Sequence, residues 1–365
     1  MSILNVMWAG GSAFASVHKV HQQILSQAAP GTVIKTWLLR GPATGCVAEV
    51  GECREWNLSS ARLKGKHAWR LLSPWLRASF RKALQDSDAQ VLLLDGLGVA
   101  RTLLPVLKSL PHIRAVVVIH GSTRLHRQDR KLFLQLPASQ LTLAAVSQTL
   151  AACLEDDLQM PVTTLRSAFD PQAFNARLLP RAEARAALGL PASDVPVFGA
   201  VGRLVDDKGF ACLLEAFAKA LASQPDMRLV IIGEGANRAA LEARVDLLGL
   251  RDKVSLPGHL KHAATLYKAF DWVAIPSLDE GLGLILQEAV MSGVPVLTSD
   301  LQVFREQLAD TGRYAPVNDI DAWQHAILQA LDLPARDIAA EQYVALAPDL
   351  AWQRFSRAAA SLLSC

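Results

Sequence analysis

No stretch of the 365-residue chain reaches the eighteen or so consecutive apolar residues that a membrane-spanning helix requires. The start, Met1 to Trp8, has no cationic n-region and reads as a first strand rather than a secretory leader. Cysteine is scarce. The five, at positions 46, 53, 153, 212 and 365, show no metal-ligand spacing, which argues for a reducing compartment and against a zinc site. Cys46 and Cys53 are near enough in sequence to pair, but the favoured reading is core or loop thiols. Aromatic-rich strand motifs, zinc fingers and recognition-helix patterns are missing, so nucleic acid is not an expected partner. Acidic residues are absent from Trp56 to Gln85.

Apolar residues make up 51% of the chain, which allows ample burial, and the length favours two domains over one. A net charge of +3 conceals a division: residues 1–175 carry 19 Lys and Arg against 11 Asp and Glu, and residues 176–365 carry 18 against 23. A basic first half points to a negatively charged partner for it. Apolar runs of strand length occur at 3–8, 33–39, 91–95, 115–119, 141–146 and 162–165, and again at 197–201, 228–232, 254–256, 272–275 and 294–297. Helical patterns fill the gaps, and residues 46–58 read as a meandering segment with short strands. Near-continuous apolar strands alternating with helices predict an α/β protein whose parallel sheets are covered on both faces and doubly wound. Residues 177–192 read as a linker and lead-in helix. Leu350, Trp352, Phe355, Ala358 and Leu362 predict an amphipathic terminal helix.

The acid-free span is the other unusual feature. Arg62, Lys64, Lys66, Arg70, Arg77, Arg81 and Lys82 are interleaved with Trp69, Trp75 and Phe80. A basic, aromatic-bearing amphipathic helix over 62–85 fits an anionic membrane surface, and it equally fits a helix packed on a sheet.

Candidate chemistry concentrates at strand ends, where open α/β sheets hold their ligands. After the run 272–275 comes Pro276-Ser277, then Asp279-Glu280-Gly281-Leu282-Gly283-Leu284, with Glu288 eight positions beyond Glu280. A helix starting near Leu282 would offer unpaired N–H groups to a phosphate, with Gly281 and Gly283 removing steric cover. Eight residues of helix span about 12 Å, the reach of a sugar, a diphosphate and a ribose, so Glu280 could hold sugar hydroxyls while Glu288 holds the ribose. By spacing alone the stretch also fits a solvated acidic cap followed by a surface glutamate. Gly202-Arg203-Leu204-Val205-Asp206-Asp207-Lys208-Gly209 sets two cations at another strand end. Gly10, Gly11 and Ser12 follow the first strand, as a substrate approach or a plain tight turn. His120 stands just past the run 115–119, where it is a substrate contact or a structural residue. His18 and His21 are expected to face solvent or a cleft rather than a metal, with no carboxylate at ligand spacing.

Taken in order, these pieces resemble the retaining, nucleotide-sugar-dependent glycosyltransferases of family 4, which have the GT-B fold. The resemblance rests on Gly10-Gly11, His120-Gly121, Ala145-Val146-Ser147, Phe169-Asp170-Pro171 with Phe174, the Gly202-Arg203-Leu204 to Lys208-Gly209 pair, Ile231 to Gly235, Leu256-Pro257-Gly258, Pro276-Ser277 and the Glu280 to Glu288 element. It implies two Rossmann-like domains facing across a cleft, at 1–176 for the acceptor and 177–345 for the nucleotide sugar, with 346–365 returning to the first.

The resemblance further implies transfer of a hexosyl-type sugar to a glycan or lipid-linked acceptor, with retention, in bacterial envelope polysaccharide or lipopolysaccharide core synthesis. Catalytic roles fall on Glu280, Arg203, Lys208 and His120. Donor binding falls on Glu288, Gly281, Leu282, Gly283, Leu284, Gly202, Gly258, His259 and Leu260, and the acceptor side on Gly10, Gly11 and Ser12. No cofactor and no metal are expected, protein cations standing in for a divalent ion, although Asp206-Asp207 lowers the potential beside them. A cytoplasmic location, peripheral on the inner face of the membrane, is expected. A non-catalytic scaffold of the same fold and a sugar-nucleotide epimerase are the competing readings.

Overall fold

Five-residue runs such as Val91-Leu92-Leu93-Leu94-Asp95, every residue of which is buried, suit the interior of a parallel sheet covered on both faces. The computed structural model, which describes residues 1–11, 14–43, 51–63, 73–122 and 125–364, builds two such sheets. In the first, β1 (Ser2–Ala9), β2 (Val33–Arg40), β3 (Glu52–Glu55), β4 (Val91–Asp95), β5 (Arg114–Ile119), β6 (Leu141–Ala145) and β7 (Thr163–Thr164) lie in the order β3-β2-β1-β4-β5-β6-β7. In the second, β8 (Val197–Val201), β9 (Arg228–Ile232), β10 (Val254–Gly258), β11 (Trp272–Ile275), β12 (Val296–Ser299) and β13 (Arg313–Ala315) lie in the order β10-β9-β8-β11-β12-β13. Each pairing is parallel, for example Val6 with Trp37 and Leu94, and Val201 with Ile232.

Both orders reverse at one point, between β1 and β4 in the first sheet and between β8 and β11 in the second. Chains leaving the carboxyl ends of those four strands turn to opposite faces, which opens a crevice for ligands. Gly10-Gly11 leaves β1, Gly96 leaves β4, Gly202 to Lys208 leaves β8, and Pro276 to Gly283 leaves β11.

The chain divides into a unit of Met1–Ser167 with Gln353–Cys365, and a unit of Ala168–Trp352. Against the expected limits of 177 and 345, the second unit starts nine residues earlier and ends seven later. Asp170 caps the helix Pro171–Asn175 by accepting from the N–H groups of Gln172 and Ala173, and Phe169 and Phe174 stack beside it with centroids 5.7 Å apart. That helix packs on the helix Leu284–Met291. The expected linker is docked in part: in the helix Arg181–Ala187, the buried Arg185 donates to the carbonyls of Ala269 and Val195 and to Asp271. At the other end, Gln342 bridges the backbone of β12, donating to the Val296 carbonyl at 3.0 Å and accepting from its N–H at 2.8 Å.

The core of the second unit gathers Phe198, Phe217, Trp272 and Trp323 between sheet and helices. In the first unit the helix Pro348–Leu363 buries Phe355, Ala359 and Leu362, while Arg114 at the start of β5 donates to the carbonyls of Leu362 and Ser364 at the helix end. Leu350, expected on the buried face, is exposed. No described helix is long and apolar enough to cross a membrane.

Candidate active site

In the second unit the loops after β8 and β11 are fastened to each other. The Leu278 N–H donates to the Asp207 carbonyl at 2.8 Å, and Gly209, at φ +66°, lies so close to Pro276 that an added Cβ would stand 1.9 Å from its carbonyl oxygen. Only glycine satisfies both the left-handed backbone and the contact. This clamp brings Lys208 and Glu280, 72 residues apart, into an ion pair between Nζ and Oε1, with side chains 15% and 11% exposed. Glu280 also accepts from the Ser277 hydroxyl at 3.0 Å. Arg203 is exposed and has no ion pair among the described residues. Asp206 and Asp207 are exposed as well, and Asp206 is held by the Asn237 amide at 2.6 Å.

The helix begins at Leu284 rather than near Leu282, because Gly283 takes φ +79° and ends the loop. A Cβ on Gly283 would lie 2.5 Å from Phe304 Cε1, so the position admits only glycine. No side chain caps this start and no acid occupies its first turn, which leaves its amides to an anion. Glu280 therefore lies outside the helix, and the helical rise does not measure its separation from Glu288. Glu288 is buried, and its Oε2 accepts from the Tyr267 hydroxyl at 2.9 Å. Burial beside this carboxylate drives the Tyr267 phenol well above its usual range, so Tyr267 remains a donor.

Gly202 sits under the loop after β9, where a Cβ on Gly233 would meet the Gly202 carbonyl at 1.8 Å. Gly258, at φ +85°, closes β10 against the Glu234–Arg238 ion pair, with His259 exposed and Leu260 half-buried after it.

The first unit holds a second constellation at the reversal between β1 and β4. His21 Nδ1 lies 2.7 Å from Asn5 Oδ1, and His21 Nε2 lies 3.1 Å from His120 Nε2. Asp95, at the end of β4, accepts from the Trp8 N–H at 3.0 Å and places its other oxygen 3.8 Å from His120 Nε2. His18 and His21, expected to face solvent or a cleft, do not face solvent: the helix Ala15–Leu25 turns both inward, and His18 Nε2 donates to the Ala9 carbonyl. Burial lowers His120 to about 3 and His21 well below the usual imidazole range, and raises Asp95 to about 6.

His21, Asp95 and His120 offer ligand atoms within 4.8 Å of one another. No carboxylate stands at ligand spacing from His18 or His21 in the sequence, and Asp95 reaches His21 and His120 by the fold, from a distant strand. Asp-x-Asp triplets occur at Asp86-Ser87-Asp88 and Asp319-Ile320-Asp321, but neither follows the carboxyl end of a reversal strand. The first turns from a helix end toward the start of β4, and Asp319 caps the helix Ile320–Asp332.

Beside this cluster, Gly10 is required by packing, since a Cβ would meet the Pro42 carbonyl oxygen at 2.2 Å. Gly10, Phe14, Arg40, Asn57, Ser59 and Ser60 line an open pocket of 430 Å³. Gly11 has φ +97°, and Ser12 lies outside the described residues. Of the acid-free span, Lys64, Lys66, Trp69 and Arg70 also lie outside them. The described part of the span holds the helices Ser60–Leu63 and Ser73–Gln85, with Trp75 66% exposed and the Arg62 guanidinium 5.7 Å from its ring. Phe80 faces the core, 4.4 Å from the Trp56 ring. Cys53, Cys153 and Cys212 are free thiols.

Residues to which the sequence reading gave no site role complete both constellations: Asn5, His21 and Asp95 in the first unit, Tyr267 and Ser277 in the second. Asn5 had a readable signal, a lone amide inside the apolar run of β1.

Residues 181–345 match the family described as Glycosyl transferases group 1. A D-inositol 3-phosphate glycosyltransferase of Segniliparus rotundus is 34% identical over 172 residues, 43% of this chain and 36% of that protein. The lipopolysaccharide core biosynthesis mannosyltransferase LpsB of Rhizobium meliloti is 29% identical over 184 residues, 48% of this chain and 52% of that protein. The chain thus spans between about a third and a half of the length of these two relatives. A crystal structure of a glycosyltransferase from Rickettsia africae superposes with a TM-score of 0.80 at 15% identity, covering 100% of this chain and 98% of that one. The chain has the GT-B fold, and residues 181–345 of its second unit resemble the group 1 glycosyl transferases.

Proposed function

We propose that the protein transfers a hexosyl-type sugar from a nucleoside diphosphate sugar to a glycan or lipid-linked glycan, with retention and without a divalent ion. The observation that carries this is the Lys208–Glu280 pair beside the uncapped helix start at Gly283 and Leu284. Departure of a nucleoside diphosphate leaves charge on the β-phosphate, and catalysis requires cations and N–H dipoles placed where it develops. Arg203, Lys208 and the first-turn amides of Leu284 and Ile285 supply them. Lys208 has three N–H donors, so one can stay on Glu280 while the others meet phosphate.

Glu280, fixed by Lys208 and Ser277, orients the sugar hydroxyls, and His120 takes one of them. Glu288, held by Tyr267, is assigned to the ribose. Backbone around Gly202, Gly258, His259 and Leu260 takes the base. The pocket beside Gly10 and Arg40 takes the acceptor, for which an anionic, phosphate-bearing glycan suits the basic first half. The relative LpsB supports envelope glycan assembly as the setting. Exposed Trp75, with Arg62, Arg77, Arg81 and Lys82, supports docking on the inner face of the cytoplasmic membrane.

Incubation with labelled UDP-, GDP- and ADP-sugars and a bacterial membrane extract tests the reading. Label should pass to the extract. Interconversion of the nucleotide sugar without transfer would indicate an epimerase, and binding without turnover a scaffold.

A further inference from the structure

The contacts of His120 determine which of its nitrogens carries a proton. Asn5 directs its amide nitrogen to the Thr36 hydroxyl at 3.4 Å, so its carbonyl oxygen faces His21. A carbonyl oxygen only accepts, hence the proton of His21 is on Nδ1. Burial keeps His21 neutral, so its Nε2 is a bare acceptor, and the 3.1 Å contact requires His120 to donate from Nε2. His120 is neutral too, which leaves its Nδ1 bare. That Nδ1 is buried and has no hydrogen-bond partner among the described residues. Asp95 Oδ1, the one carboxylate beside the pair, stands 3.8 Å from His120 Nε2, too far to take that proton from His21.

We propose that Asn5 and His21 form a relay that fixes the tautomer of His120, presenting its Nδ1 as an acceptor reserved for a hydroxyl donor of the substrate. His21 is on this account a positioning residue. The arrangement carries a specificity consequence: a bare Nδ1 receives a sugar hydroxyl and offers nothing to a phosphate oxygen, so the group His120 meets is a donor and not an anion. An unpartnered buried acceptor costs stability, and it persists where a ligand satisfies it. The role at the sugar rests on the proposed transferase reading, whereas the tautomer does not.

Long-range proton–nitrogen correlation spectra of the ¹⁵N-histidine-labelled full chain test it, with the His120 signals assigned by their loss in His120→Gln. The expected spectrum shows His120 protonated at Nε2 alone and His21 at Nδ1 alone. Asn5→Leu should mix the tautomers of both rings, and Asn5→Asp, which keeps an acceptor, should restore them. A His120 whose Nε2 carries no proton overturns the proposal, whether Nδ1 holds it or an added zinc ion occupies the site. So does an unchanged tautomer in a folded Asn5→Leu. In turnover assays His21→Phe should lose about tenfold in kcat, the weight of one buried hydrogen bond. Wild-type protein that turns over no nucleotide sugar would remove the transferase reading and leave the spectrum to decide the relay.

Discussion

Lys208→Met tests how the fold holds the carboxylate of Glu280. The substitution keeps most of the side-chain volume and removes the ammonium, leaving Glu280 only the Ser277 hydroxyl as a partner among the described residues. Removing one member of a fully buried ion pair costs about 3–5 kcal/mol, because the remaining charge has lost its compensation. With side chains 15% and 11% exposed, this pair retains some solvent, and about 2–3 kcal/mol is expected for the second unit. Neutralising the survivor removes the penalty, so Lys208→Met with Glu280→Gln should recover most of it. The double-mutant cycle should therefore give a coupling of about 1–3 kcal/mol. Urea unfolding of the four proteins, followed by tryptophan fluorescence, supplies the values. Additive effects, or a Lys208→Met protein within about 0.5 kcal/mol of wild type, would refute the reasoning.

Asp95 should oppose stability at neutral pH. Its carboxyl is raised in the folded state to about 6 from 3.8, so the folded form binds the proton more tightly. The resulting stability is present below pH 3.8 and lost as pH rises through 6, up to about 3 kcal/mol by pH 7. Asp95→Asn should remove that decline in thermal unfolding between pH 4 and 7, exposing the opposite fall toward acid from His120, which is buried neutral; an unchanged profile would count against it. Gly283→Ala should destabilise by about 1–3 kcal/mol through its left-handed backbone and its overlap with Phe304, and an undiminished melting temperature would show that the helix start is not held there. Liposome flotation should recover more protein with anionic than with neutral lipid, falling with salt and when Arg70, Arg77, Arg81 and Lys82 become Ser; equal recovery would remove the membrane assignment.

Much of the architecture was legible because burial on both faces writes itself directly into composition. Val91–Asp95 and Arg114–Ile119 admit no other reading, and their strand ends locate the crevices. Short edge strands were harder: Arg313–Ala315 carries a cation and lies at a sheet margin, where no apolar run is needed. The expected strand at 294–297 is displaced to Val296–Ser299, since Pro295 cannot donate to the ladder. At the site, glycines and cations could be named from their loops, but their partners could not. Lys208 meets Glu280 across 72 positions, and Asp95 meets His21 and His120 only because β1, β4 and β5 are adjacent in the sheet. Such pairings come from topology, which local spacing does not encode. Helix phase decided His21: with Val20, Ile24 and Leu25 it lies on the buried side, whereas its residue type alone suggested solvent or a cleft.

Sugar transfer from a saturating labelled nucleotide sugar, compared between wild type and Arg203→Ala, tests the central claim most directly. Arg203 is exposed and unpaired among the described residues, so its removal should leave folding intact. If its guanidinium meets the charge that develops on the departing diphosphate, kcat should fall at least about 100-fold. Near-normal transfer by Arg203→Ala would contradict the assignment of these loops to the diphosphate.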